Sequence, residues 1–471
     1  MKIIEHSCKL VLELLTPLHI GSGEPDGHSP LHIGSGEADG HSDAGVVCDF
    51  NGLPGIPGTS IQGMLRAAVG EALSAKALNS GKPEEQRAAA AKPRVERMFG
   101  CAGKGKDDTG RGGRLTVSWG VIHNSKDQPA SGRILSGNRD SDPVLRDGAR
   151  PMLRDHVRLT GRGVAANRAK FDELVVSAGH RFTVELRFVT ATRGGENPDP
   201  SHAEDWQTLS AVLRGPGLRL GGKTRRGLGA FKIVRWDETP MINDDAASQA
   251  ADPSRGASEL PSAVKCFDIQ LCVDNLWMFG GGCSDVADSA PVSGTRIEWD
   301  GTKQGTVRPV WVVPGSSVKG ALWHRACFHA NRLAGNFIDK RNEEAALKAE
   351  GWMADLFGVV QGDTGTPGKV FIDDIFIPRR EEHLAEVQNH VAINPFTGGA
   401  KDGALYNDQP LLADAGPISL RVTCGPIASA QAQEALEAAL ADLCAGRLSL
   451  GAHAGRGYGV FKGKIDQANL H

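Results

Sequence analysis

Hydrophobic and polar residues alternate in two widely separated stretches of the chain, and each stretch runs into a group of glycines. The first stretch is KLVLELLTPLHIGSG from Lys9, and the second is CFDIQLCVDNLWMFGGG from Cys266. Alternation with a period of two is typical of a strand that has one buried face. The pattern therefore predicts a strand near the start of the chain and a second strand just past its middle.

Each predicted strand is followed, after a long polar loop, by a Pro-Gly turn and an amphipathic stretch. These stretches are IPGTSIQGMLRAAVGEAL from Ile56 and VPGSSVKGALWHRACFHA from Val313. The hydroxyl residues of such turns are good N-caps. Both stretches are therefore predicted to be helices that begin at the turn with a Ser or Thr cap.

Three further landmarks occur once in each half and in the same order. They are MFG at Met98 and LFG at Leu356, HVRLTG at His156 and HVAINPFTG at His390, and GGKTRRGLGAFKI from Gly221 and AHAGRGYGVFKG from Ala452. Landmarks repeated in order indicate an internal duplication. Strands at both ends with helices between them predict an α+β fold, with one ferredoxin-like (RRM-like) domain and long inserted loops in each half.

The segment that separates the halves, residues 237–263, is rich in Asp, Ala, Ser and Pro and has no hydrophobic period. Such composition is typical of a linker. We therefore predict a first domain at residues 1–236 and a second at residues 264–471.

Residues 217–224, GLRLGGKT, match the phosphate-loop pattern G-x-x-x-x-G-K-T. A phosphate loop follows a buried strand and opens a helix. Here the motif follows the helix-like stretch WQTLSAVLRG and precedes the strand-like stretch RRGLGAFKI. Nucleotide hydrolysis is therefore not predicted.

Composition and charge add limits on location and partners. The 471 residues carry a net charge of −3, but residues 133–170 contain nine Lys or Arg against four Asp and no Glu, so this segment could follow a phosphate backbone. The nine cysteines form no C-x-x-C pair, the amino terminus does not resemble a signal peptide, and no apolar run is long enough to span a bilayer. We expect a cytoplasmic protein with no membrane partner.

The ordered set of landmarks resembles the RAMP superfamily and, more narrowly, the backbone subunit (the Cas-seven family) of type III CRISPR effector complexes. The two halves together are similar to a tandem fusion of two such subunits, as in type III-D systems. The resemblance implies a protein that binds a CRISPR guide RNA, a complementary target RNA and other type III effector subunits. It also implies a palm and a thumb in each half, where the thumb displaces one guide-target base pair and the target is cut there with Mg²⁺ or Mn²⁺.

The resemblance also predicts which residues contact RNA. Helix amino termini present N–H groups to phosphates, and nearby cations add charge. The predicted RNA-binding residues are Ser60, Gln62 and Arg66 on the first helix, Ser317, Lys319 and Arg325 on the second, and Lys223, Arg226 and Arg456 in the glycine-punctuated segments. Family members usually carry Lys where this sequence has Gln62, and Arg where it has Trp323. The alternative is a solvated helix face for the helix residues and a simple turn for Arg226 and Arg456.

In the family, the cleaving aspartate precedes a short apolar stretch that ends in a second Asp. The sequence SDAGVVCD places Asp43 at the cleaving position and Asp49 at the second. In the second half Asp300 matches the later position, which leaves Asp285 or Asp288 for cleavage, with ordinary turn residues as the alternative. A free Asp has a pKa of about 3.9 and is a poor base at neutral pH. We therefore assign Asp43 to holding a hydrated divalent cation or orienting the 2′-hydroxyl.

A thirteen-residue phrase is written twice just before Asp43. Residues 17–42 read PLHIGSGEPDGHSPLHIGSGEADGHS, with a single difference between the copies. A polar surface loop tolerates such an insertion because closure entropy grows slowly with length. Its histidines, His28 and His41, have no neighbouring thiolate and are predicted to be solvated rather than zinc ligands.

Three other functions remain as alternatives. A scaffold subunit would bind guide and target without cutting, and a guide-processing RAMP ribonuclease would use a histidine-centred site. A single-stranded RNA binder outside CRISPR systems would be expected to show aromatic stacking motifs, yet the chain has two Tyr and no RNP-like motif.

Overall fold

The computed structural model describes most of both halves. The described residues are 2–21, 45–76, 84–103, 110–159, 165–192, 201–215, 217–241, 265–301, 304–335, 354, 356–361, 364–425 and 429–468.

The first half contains a six-stranded antiparallel sheet and the helices that pack on it. The strands of the first half, within and outside this sheet, are β1 (Lys2–Leu14), β2 (Gly55–Ile56), β3 (Gly100–Cys101), β4 (Arg111–Gly112), β5 (Leu115–Val117), β6 (Gly120–Ile122), β7 (Met152–Leu159), β8 (Ala165–Val175), β9 (Arg181–Thr192) and β10 (Phe231–Met241). Its helices are α1 (Gly58–Lys76), α2 (Glu84–Phe99), α3 (Ser136–Ser141), α4 (Pro143–Gly148) and α5 (Ser201–Arg214). The strand order in the sheet is β10-β1-β9-β6-β2, with β5 also paired to β9.

The alternation that predicted the first strand indicates which face of β1 packs against the helices. Leu10, Leu12 and Leu14 are buried in one cluster with apolar residues of α1 and α5. Burial of a leucine side chain contributes about 1.5–3 kcal/mol. The period-two pattern therefore sets the face on which the helices pack.

The second half repeats this arrangement with a four-stranded sheet. Its strands are β11 (Lys265–Val273), β12 (Ser293–Trp299), β13 (Gly305–Val313), β14 (Gly358–Gln361), β15 (Thr364–Pro367), β16 (Val370–Ile372), β17 (Ile375–Pro378), β18 (Gln388–Ile393), β19 (Ala400–Asp408), β20 (Ile418–Cys424) and β21 (Phe461–Ala468). Its helices are α6 (Gly315–Leu333) and α7 (Ala430–Cys444). The sheet order is β16-β20-β11-β21, and β12, β13 and β17 form a separate three-stranded sheet. The predicted α+β class, with two tandem ferredoxin-like domains, is confirmed.

One glycine in each half shows which loops of the two halves are equivalent. Gly221 and Gly451 have φ values of +78° and +92°, and a Cβ on either would lie 2.2 Å from a backbone oxygen, that of His19 or Met278. Only glycine fits so close an approach in the left-handed region. The glycine-rich loops that begin here, residues 221–229 and 451–459, are therefore equivalent.

Each half also projects a two-stranded hairpin. The first hairpin is β7–β8, in which His156 pairs with Phe171. The second hairpin is β18–β19, in which His390 pairs with Tyr406. The HV landmarks of the sequence thus lie at matching positions in two equivalent hairpins.

The two halves meet where strand β12 of the second half lies against the first half. Ile297 N donates to Ala178 O at 2.9 Å, and the indole Nε1 of Trp299 donates to Gly179 O at 2.7 Å. At a second contact between the halves, Arg225 of the first glycine-rich loop donates from Nε to Gly368 O at 2.7 Å.

Three expectations from the sequence can be compared directly with this fold. The N-cap of α6 is Pro314 rather than a serine, and Gly315 N donates instead to the Asp374 carboxylate at 2.8 Å. Strand β10 continues to Met241, past the predicted boundary at residue 236, and residues 242–264 lie outside the described part.

The third expectation concerns the phosphate-loop pattern. It follows α5, ends at the 3-10 turn Thr224–Arg226 and leads into β10, so the predicted order of a preceding helix and a following strand is confirmed. No described helix is both long and apolar enough to cross a membrane.

Candidate RNA interface and cleavage site

The predicted cleaving residue of the first half, Asp43, lies outside the described residues, as does the doubled phrase from residue 22 onward. Asp49 is described, and its carboxylate accepts hydrogen bonds from the backbone N–H groups of Asn51 at 2.8 Å and Leu53 at 3.0 Å. Its own N–H donates to Leu53 O at 2.8 Å. Asp49 therefore closes the tip of a tight hairpin.

Asp300 closes the tip of hairpin β12–β13 in the same way. Its carboxylate accepts the N–H of Gln304 at 2.9 Å, and its own N–H donates to Gln304 O at 3.2 Å. This agrees with the pairing of Asp300 with Asp49 in the sequence. Hairpin β12–β13 is longer than the hairpin that Asp49 closes, so counting residues back from its tip does not find the residue equivalent to Asp43.

Backbone hydrogen bonds nearer the sheet supply that register. Val47 and Val292 each donate to the segment that follows the first strand and accept from the segment just before the first helix. The bonds are Val47 N–Ile20 O and Gly55 N–Val47 O at 3.1 Å each, and Val292 N–Phe279 O and Val312 N–Val292 O at 2.8 and 2.9 Å. Asp43 precedes Val47 by four residues and Asp288 precedes Val292 by four residues, so Asp288 is the positional equivalent of Asp43.

Both second-half candidates are exposed. Asp288 Oδ2 accepts the backbone N–H of Asn407 at 2.9 Å, and the Asp288 N–H donates to Asn407 Oδ1 at 2.7 Å. Asp285 lies in a turn closed by Ser284 N donating to Ala287 O at 2.8 Å. No described residue forms a hydrogen bond or ion pair with the Asp285 side chain. Asp288 is thus held against the second hairpin, and Asp285 is not.

Of the predicted residues of helix α1, Ser60 and Gln62 lie near its start, and Arg66 is the ninth residue of the helix. Ser60 is half-buried, and its N–H donates to Pro57 O at 2.9 Å. Gln62 donates from Nε2 to Leu115 O, and Arg66 donates from Nη1 to Gly100 O, both at 3.0 Å. Arg66 is exposed and a guanidinium carries five N–H donors, so it has capacity for a further acceptor.

Lys319 occupies the position of Gln62 on helix α6, two residues after the exposed Ser317. Its ammonium donates to Val370 O and to Arg225 O, both at 2.9 Å. Burial, followed by the nearby charges of Arg225 and Arg226, lowers the pKa of Lys319 to about 8. One of its three N–H donors is left for another acceptor.

Arg325 is committed to an ion pair between helices α6 and α7. Its Nε and Nη2 each lie 2.6 Å from Asp442 Oδ2, which His329 Nε2 also approaches at 2.7 Å. Its guanidinium also lies over the Phe328 ring at 4.7 Å. Arg325 is therefore placed to join two helices, and RNA binding by it remains a prediction.

The first glycine-rich loop and the first hairpin meet in a compact cluster. The Phe171 ring stacks on His156 at a centroid distance of 5.0 Å, and the Lys223 ammonium and Arg226 guanidinium each lie 5.1 Å from the Phe171 centroid. Glu173 is buried beneath them, 2.7 Å from His156 Nε2 and in an ion pair with Lys223. Burial raises the pKa of Glu173, but hydrogen bonds from His156 and Lys223 outweigh it and lower the pKa to about 2.

The second half contains the same cluster with some residues changed. His390 stacks on Tyr406 at 5.0 Å, and the Arg456 guanidinium lies 4.6 Å from the Tyr406 centroid. The buried carboxylate is Asp408, 3.0 Å from His390 Nε2 and 3.5 Å from His453 Nε2. Each hairpin is thus fixed to its glycine-rich loop through a buried acid, a histidine and an aromatic ring.

Arg226 and Arg456 have equivalent places in these clusters, and both are exposed. Arg456 Nη1 also lies 3.1 Å from His453 Nδ1 and 3.6 Å from Asp408 Oδ2. A guanidinium carries five N–H donors, so both arginines retain donors for phosphate oxygens or a base. The acids and rings beneath them, Glu173, Phe171, Asp408 and Tyr406, were not predicted. The signal was an aromatic residue two places before an acid, FDE and YND, once in each half.

The described residues do not form a complete metal centre by themselves. Among them, no group of three or more His, Cys, Asp or Glu side chains is placed to hold a metal ion. Mg²⁺ is commonly held by one or two carboxylates together with waters and substrate phosphates. A lone carboxylate such as that of Asp288 fits that mode, but not a site built from protein ligands alone.

The duplicated geometry agrees with the comparison to known protein families, in which one family matches two regions of the chain. The RAMP superfamily matches residues 11–232 and again residues 272–462. The chain belongs to the RAMP superfamily. Its two matches cover both hairpins and both glycine-rich loops, together with part of the main sheet of each half. No curated protein matches the chain.

RAMP proteins are CRISPR-associated RNA-binding proteins that generally bind CRISPR RNA within multi-subunit complexes. Membership therefore supports the predicted tandem organisation and an RNA-binding role. The equivalent clusters around Arg226 and Arg456 are the part of the described RAMP fold in which exposed cations and aromatic rings recur in both halves.

Proposed function

We propose that this RAMP protein is a guide-RNA-binding backbone subunit of a type III CRISPR effector, as in type III-D systems, and that it cleaves complementary target RNA. The observation that carries the proposal is the repeated unit of hairpin, buried acid and glycine-rich loop, with an exposed arginine over an aromatic ring. Two copies of one RNA-contacting unit in tandem suit a ligand that is itself periodic, such as a guide strand.

Guide binding rests on cations of the first helix in each half and of the glycine-rich loops. Lys319 stands near the amino end of α6, Arg66 lies further along α1 as its ninth residue, and Arg226 and Arg456 stand on the loops. Phosphate contacts of this kind position an RNA without reading its sequence. The affinity is then expected to fall steeply with salt.

Cleavage is assigned to Asp43 in the first half and to Asp288 in the second. The support for Asp288 is its register with Asp43 and its place beside the second hairpin, where Gln409 N donates to Ser289 O at 3.0 Å. If the hairpin is the thumb that displaces a base pair, the backbone next to that base takes an irregular path. Such a path allows the 2′-hydroxyl to line up with the scissile phosphate.

The roles of the chain's own residues are limited by their chemistry. A carboxylate oxygen accepts hydrogen bonds, so Asp288 can orient the 2′-hydroxyl by accepting a hydrogen bond from it. Arg456 can neutralise charge on the neighbouring phosphates. A bound Mg²⁺ or Mn²⁺ would supply further charge stabilisation, with ligands from one carboxylate, water and RNA phosphates.

The test is target cleavage by the assembled guide complex in Mg²⁺ or Mn²⁺. Asp43→Ala is expected to remove one cut and Asp288→Ala a separate, neighbouring cut, while target binding stays unchanged. Asp285→Ala is the matched control, because it removes an exposed carboxylate from the same loop. The products are expected to carry 2′,3′-cyclic phosphate and 5′-hydroxyl ends. A full set of cuts from the Asp43→Ala and Asp288→Ala double variant would contradict the proposal.

A non-cleaving scaffold of the same complex is the second candidate. It is favoured by the hydrogen bonds of Asp288, since an aspartate with no chemical role is held in turns in much the same way. A guide-processing ribonuclease is less well supported, because His156 and His390 are each engaged by a buried carboxylate and a ring. Loss of no cut in any aspartate variant, with guide binding intact, would favour the scaffold.

A further inference from the structure

Asp288 and Asn407 bond to each other in both directions. The backbone N–H of each residue donates to the side chain of the other, at 2.7 Å to Asn407 Oδ1 and at 2.9 Å to Asp288 Oδ2. The first bond fixes the main chain at Asp288, and the second fixes one carboxylate oxygen. Asp288 Oδ1 forms no hydrogen bond to a described residue, so one oxygen of the carboxylate stays available.

The residues that follow extend this contact by pairing their backbones. Ser289 forms a parallel bridge with Asp408, and Gln409 N donates to Ser289 O at 3.0 Å. Asp408 is fully buried and is held by His390 and by the Tyr458 hydroxyl, which donates to Asp408 Oδ1 at 3.3 Å. Asn407 therefore belongs to the fixed base of the hairpin, and it transmits that fixed position to Asp288.

We propose that Asn407 is a positioning residue for the cleavage assigned to Asp288. Its side-chain oxygen holds the loop so that the Asp288 carboxylate presents Oδ1 toward the RNA backbone beside the second hairpin. The inference rests on the proposed function, because it needs Asp288 to take part in cutting. It adds a residue that contacts neither the RNA nor the scissile phosphate.

The first half shows which replacement should preserve this role. The pairs His156–Phe171 and His390–Tyr406 set the register of the two hairpins, and that register places Asp172 at the position of Asn407. An aspartate also offers a side-chain oxygen to the same N–H, although it adds a negative charge. Asn407→Asp therefore keeps the acceptor and copies a residue that the fold already uses, whereas Asn407→Ala removes the acceptor.

The experiment measures single-turnover cleavage of a labelled target by the assembled complex, with each cut resolved separately. Asn407→Ala is expected to slow only the Asp288-dependent cut, by on the order of ten- to a hundred-fold, as for a displaced catalytic group. Target Kd and the Asp43-dependent cut should be unchanged. Asn407→Asp should restore the rate at saturating Mg²⁺. Asn389→Ala is the matched control, because Asn389 is the exposed cross-strand neighbour of Asn407.

The possible failures are distinguishable. If Asp288→Ala removes a cut and Asn407→Ala does not slow that cut, the positioning role is wrong and the proposed cleavage stands. Equal slowing of all cuts, weaker target binding, or failure of Asn407→Asp to restore the rate would show a merely structural role and overturn the inference. If Asp288→Ala removes no cut, both the cleaving role of Asp288 and the positioning role of Asn407 are overturned.

Discussion

Arg154 of the first hairpin and Asp374 of the second half form an ion pair across the junction, with Nη1 and Oδ2 2.5 Å apart and both side chains buried. The other oxygen of Asp374 accepts the N–H of Gly315, the first residue of α6, at 2.8 Å. Burial raises the pKa of Asp374, and the charge of Arg154 opposes that shift. One carboxylate thus joins the two halves and caps a helix.

Replacing Asp374 with alanine is expected to destabilise the protein strongly. The change leaves Arg154 buried without its partner and orphans the Gly315 N–H, and breaking a buried pair in this way costs about 3–5 kcal/mol. Urea unfolding followed by circular dichroism measures the loss. Glu382→Ala is the control, because the Arg380–Glu382 pair is exposed and such pairs contribute about 0–1 kcal/mol. Equal, small effects of the two changes would contradict the role given to Asp374.

The buried acid of the first cluster predicts a pH dependence. The pKa of Glu173 is about 2 in the folded protein, below the value of about 4.3 for a free Glu. A lowered carboxyl pKa stabilises the fold fully above pH 4.3, and this contribution is lost as the pH falls toward 2. The wild type should therefore be more stable than Glu173→Gln at pH 6, and the difference should shrink below pH 4.3. The exposed Glu381→Gln is the control, and a difference independent of pH would contradict the assignment.

The sequence predicted the repeated elements because their signals are local. Alternation in β1 and β11 and the Pro-Gly turns each reflect a few neighbouring residues. The cluster around Glu173 could not be read in this way, because its partner Lys223 lies in a distant segment and only folding brings the two together. Sequence counting likewise left Asp285 and Asp288 open, since the longer hairpin β12–β13 hides the register that Val292 reveals.

Lys319 and Gln62 occupy equivalent positions with different charges, which permits a matched exchange. Lys319→Gln should keep the bond to Val370 O, as Gln62 keeps its bond to Leu115 O, while it removes one cation. Single-stranded RNA affinity is expected to fall, and the salt slope of log K to decrease by about 0.7 if one phosphate contact is lost. Gln62→Lys should shift both in the opposite direction. Fluorescence anisotropy at several salt concentrations measures this, and no change in either variant would restrict Lys319 to a structural role.

Deleting residues 30–42 removes one copy of the doubled phrase and should leave a folded protein. Halving a polar loop changes its closure entropy by only about 0.6 kcal/mol. Thermal unfolding should show a melting temperature close to that of the wild type. Deleting residues 17–29 is the matched control, because the two products differ at one position, Pro25 or Ala38. A large loss of stability in both would mean that the second copy packs against the core.

Arg226 and Arg456 make the most direct test of RNA binding by both halves. Each is an exposed guanidinium held over an aromatic ring, and replacement by alanine leaves the buried acid beneath it paired with histidine. A charged hydrogen bond to phosphate contributes about 1.5 kcal/mol, so each variant should raise the Kd for single-stranded RNA roughly tenfold. The double variant should show the sum of the two free-energy changes, because the residues lie in separate halves. Arg447→Ala controls for net charge, since Arg447 is 71% exposed and bonds Asp442 instead. If Arg447→Ala weakens binding as much as either loop variant, the effect is one of overall charge and the two loops are not the RNA contacts.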